Sequence, residues 1–252
     1  MIRNLSNLFF SILFCILLNG CASKNKDEYT GLTADQIYAK AQEHERKENF
    51  QLAVKDYEAL EARFPYGEYA DKAPLGLAQA YYKKGDAAQA LGEVDRFIRM
   101  YPRHAKVDYA HYLKGLIYSD ANMSFIFRHL PIDRSLREPT DAREAFRCFK
   151  EFLILFPKSS YANDARLRSV ALRNQLANHE LHIADYYVRR GAYVSAANRA
   201  NTIITHFDKT PAVEPALHIL IKAYQHMGMK ELEQQTSELL NINFPHTTRT
   251  RN

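Results

Sequence analysis

The sequence lacks the short motifs that most enzyme classes require. Its 252 residues contain no glycine-rich phosphate loop and no nucleophile elbow. His179 and His182 are three positions apart, whereas the histidines of the zinc motif HExxH are four apart, and no third ligand is evident. We therefore expect a protein that is not an enzyme and that binds no metal and no cofactor.

Long hydrophobic runs are also missing, apart from one at the N-terminus. Residues 5–18 are apolar but shorter than the about 20 residues that a membrane-spanning helix needs. The run leads into Leu18-Asn19-Gly20-Cys21, which resembles the lipobox of bacterial lipoproteins, and Ala22 is typical of sorting to the periplasmic face of the outer membrane. We predict a signal peptide over 1–20, lipidation of Cys21 and a tether over 21–31. The alternative is an ordinary signal peptide with a chance cysteine.

Cysteine is scarce throughout the chain. Removal of Cys15 with the signal peptide and lipidation of Cys21 would leave Cys148 alone, so we expect no intramolecular disulfide. Cys148 lies in the apolar helical pattern AFRCFKEFL, which is typical of a buried small hydrophobic residue.

A strong excess of one charge is missing as well. The net charge is +5, and basic residues alternate with acidic ones, as in 41–47 and 58–63. This mixture is typical of solvated helix faces and argues against a nucleic-acid partner.

The sequence does contain a repeated aromatic–proline pair. Its copies are Phe64-Pro65, Tyr101-Pro102, Phe156-Pro157 and Phe244-Pro245, with Phe207 and Pro211 as a looser fifth. Each copy follows a Leu-Gly/Ala-x-x-Tyr-like segment, a glycine turn and a second segment with small and aromatic residues, an order that resembles the tetratricopeptide repeat (TPR). We predict an all-α fold, a right-handed α-solenoid of five TPR-like helical hairpins. Most of the 16 tyrosines then fall at core positions.

Local signals for helix ends support the same interpretation. Thr33 and Gln36 have the spacing of a capping box, and Gly85-Asp86 offers a glycine at a helix end followed by an N-cap. Proline removes a hydrogen-bond donor and clashes with the preceding turn, so each aromatic–proline pair should end a helix.

Two segments interrupt the repeat. Residues 119–139 insert an apolar stretch before a helix that should begin near Thr140. They act either as a strap on their own repeat or as a loop that contacts a partner. The predicted loop contacts are Asp133, Arg134, Arg137 and Glu138.

After Pro157 neither proline nor glycine occurs until Gly191, which predicts one helix of roughly 30 residues. We divide the chain into repeats 1–3 over 32–157, a linking helix with repeats 4–5 over 158–246, and a tail over 247–252.

Several motifs together resemble the BamD (ComL/YfiO) family over the whole chain. They are the lipobox, five repeats, FPYGEY, DRSLREP in an enlarged third repeat, and ADYYVRRGAY followed by NRA. The resemblance implies a non-enzymatic lipoprotein subunit of the machine that assembles outer-membrane β-barrels. Its implied partners are POTRA repeats of BamA, the lipoproteins BamC and BamE, the C-terminal signals of unfolded outer-membrane proteins, and the membrane through the lipid anchor.

The resemblance places substrate contacts in the N-terminal repeats and docking onto BamA in the C-terminal repeats. The candidate peptide-binding residues are Gln51, Phe64, Tyr66, Gly67 and Tyr69. The candidate docking residues are Arg189, Arg190, Tyr193, Asn198 and Arg199. Cationic side chains beside an exposed aromatic are typical interface anchors, although a solvated helix face would have the same composition.

The main alternative is another periplasmic TPR lipoprotein, such as a peptidoglycan-associated or cell-division scaffold. It would lack the enlarged third repeat and the long helix. A hydrolase with a TPR arm would need a second domain, for which five repeats leave no room.

Overall fold

Helices form all the regular secondary structure in the residues that the computed structural model describes, which are 27–120, 134–136 and 138–245. The helices are α1 (Ala34–Arg46), α2 (Phe50–Arg63), α3 (Lys72–Lys84), α4 (Ala87–Met100), α5 (Val107–Asp120), α6 (Thr140–Leu155), α7 (Ala162–Arg189), α8 (Tyr193–His206), α9 (Val213–Met227) and α10 (Lys230–Asn243). A 3₁₀ helix, Arg134–Leu136, precedes α6. The predicted signal peptide, Cys21 and the tail at 247–252 lie outside the described residues.

The helices pack in chain order, each against the next. They form five hairpins, α1/α2, α3/α4, α5/α6, α7/α8 and α9/α10. A hairpin buries only part of its apolar surface, and its neighbours in the stack bury the rest. The predicted all-α solenoid of five TPR-like hairpins is confirmed.

An aromatic residue follows the last residue of the second helix in every hairpin. These residues are Phe64, Tyr101, Phe156, Phe207 and Phe244. Each has φ between −128° and −132°, and its N–H donates to the carbonyl four residues earlier at 2.8 Å. A following proline disfavours the helical conformation at the residue before it. Phe207 leaves the helical conformation without one, so the aromatic position, rather than the proline, is common to all five ends.

The other predicted helix ends are confirmed by their hydrogen bonds. The Gln36 N–H donates to Thr33 Oγ1 at 3.3 Å, and the Thr33 N–H donates to Gln36 Oε1 at 2.9 Å, which completes the capping box. Gly85 has φ +91°, a left-handed conformation that suits glycine, and Asp86 Oδ1 accepts from the Gln89 N–H at 3.3 Å.

Helix α7 connects two parts of the core. It is a single helix of 28 residues, about 42 Å long at about 1.5 Å per residue. Leu172 and Leu176 belong to a cluster with α5 and α6, whereas Ala177 belongs to a cluster with α8 and α9. One rigid element therefore fixes the stacking of the third hairpin against the fourth.

Cys148 is buried and free, as its apolar surroundings predict. Burial raises the pKa of its thiol, which favours the unreactive protonated form.

The described part of the insertion packs on α7. Ser135 is buried, and its carbonyl accepts from His179 Nδ1 at 2.7 Å. Glu138 is exposed and accepts from Thr140 Oγ1 at 3.1 Å, while Arg134 begins the 3₁₀ helix. Asp133 and Arg137 lie outside the described residues. The strap hypothesis placed this packing on the insertion's own repeat, whereas the described contact is with the first helix of the fourth hairpin. Contact with a partner stays a prediction.

Candidate peptide-binding and docking surfaces

The connection between α2 and α3 carries two aromatic side chains that differ in exposure. Phe64 is half-buried against the core of the first two hairpins. Tyr66 is 89% exposed, the largest exposed fraction among the large hydrophobic residues in the described ranges. Gly67, with φ +106°, lets the chain turn sharply after Tyr66. The connection therefore presents one aromatic side chain to solvent.

Tyr69 is part of a cluster rather than a free side chain. Its ring lies 4.7 Å from the ring of Tyr38 on α1, and its hydroxyl donates to Asp35. That hydrogen bond is the main reason why the pKa of Tyr69 is raised to about 12. Lys72 Nζ lies 4.6 Å from the centre of the Tyr69 ring. These contacts fix Tyr69 at the junction of the first two hairpins.

Lys72 and Glu68 form an ion pair beside the cluster, with 2.9 Å between Nζ and Oε1. Its hydrogen bond with Glu68 raises the pKa of Lys72. The sequence analysis missed Lys72. The spacing of four residues from Glu68 was available in the sequence, but it gives no indication that the Tyr38 ring lies near the ammonium group.

Gln51 does not join the other candidate peptide-binding residues. It is exposed in the first turn of α2, whereas Phe64 follows the last turn. Thirteen residues of helix separate them by about 20 Å. A single side-chain contact therefore cannot involve both ends, although an extended ligand of six or seven residues could span them.

Three of the candidate docking residues meet at the turn between α7 and α8. Arg189 and Arg190 are exposed; Arg189 pairs with Asp185, and the Arg190 guanidinium lies 6.0 Å from the ring centre of Tyr186. Tyr193 is half-buried and stacks on His226, with 4.1 Å between ring centroids and 4° between planes. Arg190 is therefore the more available cation, because its neighbour Arg189 already has a carboxylate partner.

The other two lie further along α8, about 8 Å from Tyr193. Asn198 is exposed. Arg199 Nη1 lies 2.9 Å from Glu180 Oε2 on α7, and Glu180 is only 8% exposed. A buried carboxylate needs a partner, so Arg199 has a structural role across the fourth hairpin in addition to any role in docking.

Comparison with known proteins places this architecture in a family. The family YfiO, described as an outer membrane lipoprotein, matches residues 31–239. The chain belongs to this family. A YfiO relative, the outer membrane protein assembly factor BamD of Neisseria meningitidis serogroup A, is 39% identical over 246 residues, which cover 96% of this chain and 92% of the relative. The BamD of Vibrio cholerae serotype O1 is 35% identical over 232 residues, which cover 92% and 96%.

YfiO membership confirms the family resemblance of the sequence motifs. The names of the two relatives favour an assembly factor over the peptidoglycan-associated or cell-division scaffold. The family's description also agrees with the predicted outer-membrane address. Within the described ranges, no helix has both the length and the apolar character needed to cross a membrane. In the same ranges, no group of three or more His, Cys, Asp or Glu residues is arranged to hold a metal ion.

Proposed function

We propose that the chain is a non-enzymatic scaffold in the assembly of outer-membrane proteins. The names of its relatives support this proposal, and stacked hairpins offer the extended binding surfaces that a scaffold needs. In this proposal, lipid on Cys21 anchors the chain to the periplasmic face of the outer membrane. The N-terminal hairpins bind the C-terminal signals of unfolded outer-membrane proteins, and the C-terminal hairpins bind the POTRA repeats of BamA. BamC and BamE are further proposed partners.

The exposed ring of Tyr66 is the observation that carries the peptide-binding part. An aromatic side chain in water has a large apolar area to bury, and a ligand that ends in an aromatic residue would stack on it. Gly67 has no side chain to keep the ligand's backbone away, and no atom beyond its two chain neighbours lies within 4 Å of the position that a Cβ would take. Phe64 and Tyr69, held by the core and by Asp35, would form the fixed border of this site.

Replacing Tyr66 with alanine is expected to weaken binding of a peptide that ends in Phe by about tenfold, because an aromatic contact and its buried area contribute about 1–2 kcal/mol. The measurement is fluorescence anisotropy of a labelled peptide titrated with the full chain in detergent. Leu167→Ala, at a residue of α7 that is also strongly exposed, is the matched control and should leave binding unchanged. Equal binding of a scrambled peptide by the unaltered chain would remove the support for this site.

The turn between α7 and α8 is the proposed docking surface for BamA. Arg190, exposed beside Tyr186, provides a cation next to an aromatic ring, a combination that is enriched at interface centres. Asn198 extends the surface along α8. Arg199 contributes by holding α8 against α7 through Glu180.

Arg190→Glu is expected to reduce co-purification with BamA several-fold without changing the melting temperature, because Arg190 makes no ion pair among the described contacts. Arg199→Glu is expected to reduce both the co-purification and the melting temperature, since it would bring a second carboxylate to the buried Glu180. Arg166→Glu, at the far end of α7, is the control and should change neither. Undiminished co-purification of the Arg190 variant would contradict the proposed docking role.

A further inference from the structure

The ammonium group of Lys72 is held over two tyrosine rings. Its Nζ lies 4.6 Å from the ring centre of Tyr69 and 5.9 Å from that of Tyr38. Tyr38 belongs to the first hairpin and Lys72 begins the second, so the position of the cation is fixed by the stacking of the two hairpins. Aromatic faces attract a cation but leave its hydrogen-bond donors free for an anion.

The carboxylate that Lys72 binds is easily exchanged. Glu68 reaches Lys72 from the connection between α2 and α3, and its side chain is 72% exposed. Exposed ion pairs contribute little to stability, because water competes for both groups. The other acidic residues nearby are engaged elsewhere: Asp35 accepts from Tyr69, and Asp71 pairs with His104 at 3.1 Å. Glu68 is therefore the partner that a ligand carboxylate would replace.

We propose that Lys72 captures a carboxylate of the bound peptide and that Glu68 occupies this position until the peptide arrives. The inference rests on the peptide-binding function proposed for the connection between α2 and α3. Lys72 is the first residue of α3, directly after the connection that carries the exposed Tyr66. A peptide bound along this connection could therefore contact Tyr66 with an aromatic ring and Lys72 with a carboxylate. The ligand chemistry is a carboxylate adjacent to an aromatic side chain.

This arrangement lowers two costs of binding. The tyrosine rings already restrain Lys72, so little side-chain freedom remains to be lost. Exchange of one carboxylate for another leaves the number of ion pairs unchanged, and the released Glu68 returns to water. Glu68 therefore also disfavours ligands that lack a carboxylate, because they would separate the pair without replacing it.

Two sources of the carboxylate are possible, the chain terminus of a peptide that ends in Phe or an acidic side chain beside a Phe. We compare three labelled peptides by anisotropy with the full chain in detergent: the free acid, its C-terminal amide, and an amide with Asp in place of the residue before Phe. The free acid is expected to bind about fivefold more tightly than the plain amide, because one charge-assisted contact is lost in the amide. Recovery of affinity by the Asp-containing amide would assign the carboxylate to a side chain instead.

Variants of Lys72 and Glu68 test the assignment. Lys72→Gln is expected to reduce the acid-to-amide ratio from about five to about one, whereas Glu68→Gln should tighten binding of the free acid about threefold by removing the internal competitor. Lys83→Gln is the matched control, because Lys83 also lies over a tyrosine, Tyr82, on the same helix at 5.7 Å. The acid-to-amide ratio of the Lys83 variant should stay at about five.

The results separate this inference from the function on which it rests. A ratio that stays at about five in the Lys72 variant overturns the assignment of Lys72 and leaves the Tyr66-dependent binding intact. A ratio of about one in the unaltered chain has the same consequence when the Asp-containing amide binds no more tightly than the plain amide. Absence of binding by all three peptides to the unaltered chain overturns the peptide-binding function itself. Helical content by circular dichroism confirms that the variants, all at partly or fully exposed positions, are folded.

Discussion

Gly115→Ala is expected to destabilise the chain by about 2–3 kcal/mol. A Cβ on Gly115 would lie 2.6 Å from an edge carbon of the Phe149 ring and within 2.9 Å of two more ring carbons. Phe149 is fully buried between α5 and α6, so its ring has no open space into which it could move. The third hairpin therefore requires glycine at this position because of close helix packing.

Gly92→Ala is the matched control for this prediction. Gly92 lies inside α4, and apart from its chain neighbours and the backbone of its own helix no atom is within 4 Å of the position that a Cβ would take. Alanine has the higher helix propensity, so this change should stabilise the chain by about 0.5–1 kcal/mol. The two variants are compared with the unaltered chain by thermal unfolding, followed by circular dichroism. For a chain of this size 1 kcal/mol corresponds to about 2–4 °C, so shifts of opposite sign should be resolved. Similar melting temperatures for both variants would contradict the packing argument.

The helix ends could be predicted because their causes are local. The capping box at Thr33 needs only Gln36, and the left-handed turn at Gly85 needs only a residue without Cβ. The repeated aromatic residue then marks where the second helix ends in each of the five hairpins. Tyr66 and Gly67 could also be singled out from the sequence, because the other copies of the repeat lack them. The structure gives Tyr66 an exposed ring and Gly67 a sharp turn.

The parts that could not be predicted depend on residues brought together from different helices. Arg199 was expected on the surface, but it pairs with Glu180, 19 positions earlier on the neighbouring helix. Lys72 was missed because Tyr38 comes from another hairpin. Gln51 and Phe64 lie at opposite ends of α2 and therefore do not form one compact site. Their residue types alone gave no indication of this separation.

Buried acidic residues are a further case in which neighbours decide the role. Asp56, on α2, is 1% exposed. The repeat pattern alone does not explain a buried carboxylate at this position. Its Oδ1 accepts from the Tyr29 hydroxyl at 2.9 Å, and its Oδ2 lies 2.5 Å from His44 Nδ1. Lys40 Nζ is 3.7 Å away. Asp56 thus joins α1, α2 and the segment that precedes α1.

Asp56→Ala is expected to destabilise the chain by about 3 kcal/mol, because it leaves the Tyr29 hydroxyl and the His44 ring without their buried acceptor. Lys40 would keep its second carboxylate partner, Glu28. Asp95→Ala is the matched control: Asp95 also pairs with a lysine, Lys114 at 2.6 Å, but both side chains are partly exposed. We expect it to cost less than about 1 kcal/mol.

The same variant should release the segment before α1, since Tyr29 loses its hydrogen bond to α2. Hydrogen exchange of the amides in 27–33 is expected to become faster in Asp56→Ala and to stay unchanged in Asp95→Ala, while exchange in α9 and α10 stays the same in both. A uniform increase along the chain would show that Asp56 acts only through global stability. A local increase would show that Asp56 holds residues 27–33, which include the end of the predicted tether, on the first hairpin.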